Sequence, residues 1–151
     1  SATPTVDGDR VYSLSRKGDL FCLEAATGKV LWSKNLNEEL GLKGSSQTPE
    51  WGYAGSPLVQ GDRLILNVGT AGLALDKATG RVVWSTGKTR PGYASPVPFT
   101  VGGQPALAVL HQLDQPRELV HPDVQNPLLK SRRLFVYRLT FIAFLRSYTV
   151  K

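Results

Sequence analysis

A single cysteine is the strongest nucleophile in this sequence. Cys22 stands between Phe21 and Leu23 in a predicted strand, and both histidines, His111 and His121, lie far along the chain. A thiol needs a neighbouring base or positive charge to become a reactive thiolate. We therefore expect Cys22 to pack in the core. A lone cysteine also leaves no internal disulfide.

The other candidates for metal binding or acid–base chemistry are two histidines and four aspartates. His111 and His121 stand among Pro and Gln residues, with no third ligand at a zinc-site spacing. The four aspartates adjoin turns, which is typical of solvated carboxylates. They are Asp9, Asp19, Asp62 and Asp76. The sequence thus predicts no catalytic residue and no metal site.

Aromatic residues flanked by glycines are the candidates for ligand binding. The string WGYAGSP at residues 51–57 is echoed by GYASP at residues 92–96. Aromatic rings in such a segment could present a flat face to a ligand or peptide, and the candidates are Trp51, Tyr53 and Tyr93. The alternative is that these rings pack between structural units, as buried aromatics commonly do.

The elements that must position these residues are repeats. Residues 3–36 (TPTVDGDRVYSLSRKGDLFCLEAATGKVLWSKNL) return as residues 56–87 (SPLVQGDRLILNVGTAGLALDKATGRVVWSTG). A third copy opens at Ser95 and stops after Leu110. Pro4 and Pro57 are 53 positions apart and Pro57 and Pro96 are 39 apart, so the first unit carries 14 additional residues. We place them between Asn35 and Trp51, where NEELGLK predicts a short helix.

Each unit divides into four short apolar runs joined by turns that contain glycine, which is the pattern of antiparallel hairpins. A unit of about 40 residues is typical of one four-stranded propeller blade. The sequence therefore predicts an all-β fold, a partial β-propeller of about two and a half four-stranded antiparallel blades. The predicted blades cover about residues 1–50, 51–90 and 91–110.

The strings ATGKVLW at residues 26–32 and ATGRVVW at residues 78–84 carry a family resemblance. They resemble the tryptophan-docking repeat of the pyrroloquinoline-quinone-like (PQQ-like) β-propellers, and the likeness covers about residues 1–110. It implies that Trp32 and Trp84 pack over the outer strands of their blades and dock on the next blade. The glycines of the same motif, Gly28 and Gly80, share this structural role.

The resemblance implies two kinds of function. Members of the family include quinoprotein dehydrogenases, which bind pyrroloquinoline quinone and calcium and oxidise alcohols or sugars. Others have lost the cofactor, among them the scaffold lipoprotein of the outer-membrane barrel-assembly machinery. No adjacent cysteine pair is present to form the vicinal disulfide seen in some dehydrogenases. We expect a non-catalytic binding or scaffold module without a cofactor; the alternative is a fragment of a quinone- and calcium-dependent dehydrogenase.

Residues 111–151 do not follow the repeat. All 15 glycines lie at or before Gly103, and this tail holds 7 basic and 3 acidic residues of a chain whose net charge is +6. We expect the tail to be either helical or disordered, and a third functional class is a membrane-associated interaction protein that uses it. A helix would carry an apolar stripe: Leu134, Tyr137, Phe141, Phe144 or Leu145, and Tyr148. An out-of-frame tail never selected to fold is the other alternative.

Partners and compartment follow from the same reasoning. The repeats carry scattered charges and no basic face with interleaved aromatics, so nucleic acid is not an expected partner. Other proteins or further blades are expected partners, and unpaired strand edges predict self-association unless the tail covers them. The family points to the periplasm or cell envelope. The cytoplasm is the alternative if no signal peptide was removed.

Overall fold

The described residues form three antiparallel sheets. The computed structural model describes residues 2–43, 49–69, 72–86, 90–101, 104–111 and 138–143. The first sheet has the order β1-β2-β3-β4 and the second β5-β6-β7-β8, so each complete repeat forms one four-stranded meander. The predicted all-β architecture of repeated four-stranded units is confirmed.

The two meanders are built alike. The first consists of β1 (Thr5–Asp7), β2 (Arg10–Leu14), β3 (Asp19–Glu24) and β4 (Val30–Asn35). The second consists of β5 (Leu58–Gln60), β6 (Arg63–Leu66), β7 (Leu73–Asp76) and β8 (Val82–Ser85). Cys22 pairs with Trp32 in the first, Ala74 pairs with Trp84 in the second, and a register irregularity follows each of these pairs. We call these sheets blade 1 and blade 2.

The turn before each outer strand explains why the repeat keeps the Thr-Gly pair. In blade 2, Asp76 Oδ1 accepts hydrogen bonds from Ala78 N, Thr79 N and Thr79 Oγ1. These bonds, that of the Thr79 side chain foremost, lower the pKa of Asp76 below its usual value. Gly80 then adopts a φ of 71°, which only glycine takes up readily.

Successive residues of the two central strands of blade 2 are buried, so both of its faces are covered; they are Leu64, Ile65 and Leu66 in β6 and Leu73, Ala74 and Leu75 in β7. One core joins side chains of the two blades: Tyr12, Leu14, Leu20 and Cys22 from blade 1, and Leu64, Leu66, Leu73 and Leu75 from blade 2. A second core joins Ile65 and Ala74 of blade 2 to Leu107 and Val109 of the third sheet. Blade 2 is therefore sandwiched between its neighbours, as successive blades of a propeller are.

The insertion in the first repeat begins with a short helix, α1 (Leu36–Glu39). The Asn35 side chain caps it by accepting from Asn37 N and Glu38 N. Leu36, Leu40 and Leu42 are buried in the core between the blades. The predicted short helix is thus present, and residues 44–48 of the insertion lie outside the described residues.

The third sheet has the order β11-β10-β9 and takes one strand from the tail. Its strands are β9 (Val97–Val101), β10 (Gln104–His111) and β11 (Arg138–Ala143). The helical alternative for the tail does not hold at Arg138–Ala143, because the free edge of β10 supplies backbone partners over six residue pairs. Of the apolar stripe, Phe141 lies in this strand and the other residues fall outside the described part.

Candidate functional site

The interface between the blades is organised around Trp32. Its Nε1 donates to Lys77 O at 3.2 Å, and its ring lies so close to Gly80 that a Cβ there would come within 2.9 Å of Cε3. Tyr12 Oη donates to the same Lys77 carbonyl at 3.1 Å, and the Tyr12 and Trp32 ring centroids are 6.1 Å apart. The indole of one blade thus seats on the glycine turn of the next.

Polar contacts extend this interface along its length. Lys77 Nζ contacts Asp7 Oδ2 at 2.6 Å, and Arg10 Nη1 donates to Ala78 O at 3.1 Å. At the inner strands, Thr3 N donates to Ser56 Oγ at 2.9 Å, and Ser56 N donates in turn to Ser95 Oγ at 2.8 Å. The Thr-Pro and Ser-Pro pairs of the three repeats therefore link consecutive units through hydroxyl groups.

The other tryptophan and the other glycine of the two motifs, Trp84 and Gly28, lie in different surroundings. Trp84 is half-buried and packs on the core shared with the third sheet, where a Cβ on Gly72 would come within 3.3 Å of its ring. Gly28 has a φ of 73°, close to that of Gly80, yet a Cβ on it would meet nothing within 4 Å. The structure therefore brings Trp32 and Gly80 together and leaves Gly28 exposed.

Tyr53, one of the three candidate ligand-binding aromatics, is buried. Its Oη donates to Asn37 Oδ1 at 2.7 Å, and its ring lies against Gly18, where a Cβ would come within 2.9 Å of Cε2. Burial raises the pKa of Tyr53 to about 12. This placement corresponds to the packing alternative and leaves no ring face for a ligand.

Trp51, two residues earlier, is 71% exposed. It stands in a turn closed by a hydrogen bond from Gly52 N to Pro49 O at 3.0 Å. Tyr93 Oη lies 3.4 Å from Trp51 N and accepts from it, so the structure brings two of the predicted aromatics together. Pro49 and Tyr53 on either side are buried. An exposed indole is therefore held on a firmly anchored backbone.

Arg16 joins these aromatics, and sequence reasoning did not select it. Tyr53 N donates to Arg16 O at 2.9 Å, and a Cβ on Gly52 would collide with Arg16 Cγ at 2.2 Å. Arg16 lies in the β2–β3 turn of blade 1, and only the folded chain brings it against Gly52, the residue that follows Trp51. We call Arg16, Trp51 and Tyr93 the aromatic patch.

The remaining chemical candidates are structural in their placement. Cys22 is fully buried, and burial raises the pKa of its thiol. Asp19 accepts hydrogen bonds from Asn35 Nδ2 and Ser15 Oγ, and these bonds lower its pKa. Its carboxylate therefore stabilises the turn and is not freely solvated.

Among the described residues, no three His, Cys, Asp or Glu side chains are grouped to bind a metal ion. No helix in the described ranges is long and apolar enough to span a membrane.

Comparison with known proteins identifies the repeat. A family model described as outer membrane protein assembly factor BamB matches residues 1–121. BamB from Moraxella catarrhalis is similar in structure, with a TM-score of 0.50 and 19% identity over 72% of this chain. Quinohemoprotein alcohol dehydrogenase from Comamonas testosteroni is similar to the same degree, with a TM-score of 0.50 and 18% identity over 71% of this chain. At these identities the two structures show a common fold.

The chain spans 33% of the length of that BamB structure and 21% of that of the dehydrogenase. A search of curated proteins found no match. The described sheets therefore correspond to part of a larger β-propeller in each solved relative, and the tail from residue 122 onward lies beyond the family match.

Proposed function

The chain belongs to the PQQ-like β-propeller repeat family, and on that premise we propose that it is a non-catalytic binding or scaffold module of the bacterial cell envelope. Its proposed partner is another protein of the outer-membrane assembly type, in keeping with the description of the matching family. The proposed location is the periplasm. The proposed contact surface is the aromatic patch.

The observation that carries this proposal is the exposure of Trp51. Trp, Tyr and Arg dominate the residues that contribute most to protein interfaces. The patch contains one of each. Since Trp51 is 71% exposed, most of its surface remains to be buried by a partner.

The anchoring of the turn adds to the argument. Pro49 and Tyr53 fix the backbone on both sides of Trp51, and the Tyr93 hydroxyl accepts from its N–H. A side chain held in place before binding loses less conformational freedom when a partner arrives. An anchored, exposed tryptophan suits protein contact better than a solvated loop residue would.

Site-specific photocrosslinking in the periplasm of a Gram-negative bacterium tests the proposal. Benzoylphenylalanine replaces Trp51 in one variant and Val83, which is 42% exposed on blade 2, in the control. We expect adducts with an envelope protein at position 51 that are weak or missing at position 83. Equal adducts at both positions, or none at position 51, would contradict a contact role for the patch.

A further inference from the structure

The β2–β3 turn of blade 1 presents two exposed cations, Arg16 and Lys17. Neither side chain forms an ion pair with a carboxylate in the described part of the chain. Lys43, which follows α1, lies by contrast 3.1 Å from a carboxylate oxygen of Glu38. The turn therefore carries positive charge that a bound anion can neutralise.

Two carboxylates belong to the surroundings of this turn. Asp19 is occupied within its own blade: hydrogen bonds from side chains of blade 1 are the main cause of its lowered pKa, and the charge of Lys17 also contributes to it. Glu50 is exposed and directly precedes Trp51. Arg16 is therefore the cation of the turn best placed to pair with an incoming anion.

The Arg16 stem is held against the turn that carries Trp51. Tyr53 N donates to Arg16 O at 2.9 Å. Gly52 has a φ of 80°, and a Cβ on it would lie 2.2 Å from Arg16 Cγ. Glycine at this position is therefore what lets the aliphatic stem of Arg16 pack on the turn. A side chain held in this way loses less conformational freedom when its guanidinium group binds a ligand.

An indole and a guanidinium group on two adjoining turns suit a partner that offers an apolar side chain and a carboxylate close together. A guanidinium group pairs with a carboxylate through two parallel hydrogen bonds, and an indole buries a large apolar area. In an extended chain, residues i and i+2 point to the same side about 7 Å apart. An extended protein segment with an apolar residue and an acidic residue at this spacing therefore matches both groups.

Glu50 separates a protein segment from a uniformly anionic surface. A membrane of acidic lipids would meet the negative charge of Glu50 as it approached Trp51, because the two residues are adjacent. A protein segment carries its carboxylates singly, so one of them can lie on Arg16 and away from Glu50. The charges around the patch thus favour a protein ligand over a lipid surface.

We propose that the aromatic patch binds an extended acidic segment of its partner protein, with an apolar side chain on the Trp51 ring and a carboxylate on the Arg16 guanidinium group. This inference rests on the contact role proposed for the patch and adds the chemistry of the segment that it recognises. Lys17 assists by attracting acidic ligands over a longer range. Glu50 opposes them.

Fluorescence anisotropy with two labelled peptides tests the inference on the full chain. The acidic probe repeats Phe-Gly-Asp-Gly, and the neutral probe has Asn in place of each Asp. We expect the chain to bind the acidic probe about fivefold more tightly at low ionic strength, the upper end for an exposed ion pair. Added salt should reduce this preference, because it screens exposed charges.

Four variants separate charge from apolar contact. Arg16→Gln should abolish the preference for the acidic probe and leave binding of the neutral probe unchanged. Arg81→Gln is the matched control, since Arg81 is an exposed arginine beside the β7–β8 turn of blade 2. Glu50→Gln should tighten binding of the acidic probe. Trp51→Ala should weaken binding of both probes by about tenfold, as for an important interface residue.

Other results overturn the inference. Equal affinity for the two probes, a preference that survives Arg16→Gln, or no binding up to about 1 mM would each do so. Vesicles of phosphatidylglycerol and phosphatidylethanolamine that compete fully with the acidic probe would make the ligand a membrane. If Arg16→Gln does not fold by circular dichroism, Lys17→Gln and Glu50→Gln carry the charge test, with opposite expected effects. Crosslinks from position 51 to an envelope protein, without a preference between the probes, would sustain the proposed function and remove the acidic segment.

Discussion

The Trp32 ring lies against Gly80, and a Cβ on this glycine would come within 2.9 Å of Trp32 Cε3. The contact joins two blades whose motifs are nearly identical in sequence. It also explains why the turn keeps glycine: a side chain there would both strain the backbone and displace the indole.

The Gly80→Ala variant should lose about 2–4 kcal/mol of unfolding free energy, from the positive φ and from displacement of Trp32. Gly28→Ala is the matched control, since Gly28 has a similar φ but no neighbour within 4 Å of its Cβ. It should lose only about 1–2 kcal/mol. Urea unfolding of both variants measures the difference. Equal losses of unfolding free energy in the two variants would mean that the contact between Trp32 and Gly80 does not contribute to stability.

Trp84 packs on the core shared with the third sheet, and its truncation should leave a cavity there. We expect Trp84→Ala to lower the unfolding free energy by about 3 kcal/mol. Val83→Thr, at a 42% exposed neighbour, keeps the β-branched shape and should change it by less than about 0.5 kcal/mol. A loss below about 1 kcal/mol for Trp84→Ala would show that the ring is not docked.

Asn67, which follows β6 of blade 2, binds two backbone carbonyls, one in the segment before β9 and one in β10 of the third sheet. It is buried, and its Nδ2 donates to Ala94 O at 2.8 Å and to Leu110 O at 2.7 Å. Asn67→Leu keeps the volume but removes both donors, so we expect a loss of about 2 kcal/mol in urea unfolding. Asn67→Asp should lose at least as much. An Asn67→Leu variant as stable as the wild type would show that volume alone matters at this position.

Asp19 predicts a pH dependence of stability. Bonds from Asn35 and Ser15 hold its pKa below its usual value of 3.8. Since the folded-state pKa is the lower one, the stabilisation is complete above about pH 4 and is lost as the pH falls through the folded-state pKa. Asp19→Asn should therefore be less stable at neutral pH and lose less stability on acidification. Urea midpoints of the wild type and of Asp19→Asn, measured across this pH range, check the prediction. If both proteins lost stability in parallel on acidification, Asp19 would not contribute to the pH dependence.

The non-catalytic reading predicts the outcome of a cofactor titration. A bound quinone needs flat groups against its faces and cationic groups for its carboxylates. Of the glycine-flanked aromatics, Tyr53 is buried and Trp51 is open to solvent. We expect no quinone binding at micromolar concentration with calcium present, followed by absorbance, and no alcohol-dependent reduction of a dye. Binding together with dye reduction would make the dehydrogenase alternative correct.

Short-range sequence patterns suffice to predict the repeat, the strands and the shared motif. The spacing of Gly8, Gly28, Gly61 and Gly80 places the turns, because tight turns with positive φ favour glycine whatever surrounds them. Strand order follows from short connections between apolar runs. Turn positions and strand order are local properties, because they depend on residues that are close in sequence.

Which of these residues are buried depends on contacts between segments that are distant in sequence. Trp51 and Tyr53 stand in one glycine-rich string, yet Tyr53 lies against Asn37 of α1 and Gly18 of blade 1 while Trp51 remains exposed. Gly28 and Gly80 share a motif, and only Gly80 meets an indole. Arg16 reaches the patch from another repeat, and Arg138–Ala143 joins β10 from the non-repeat tail. Burial depends on which distant segment arrives as a neighbour, and no local pattern carries that information.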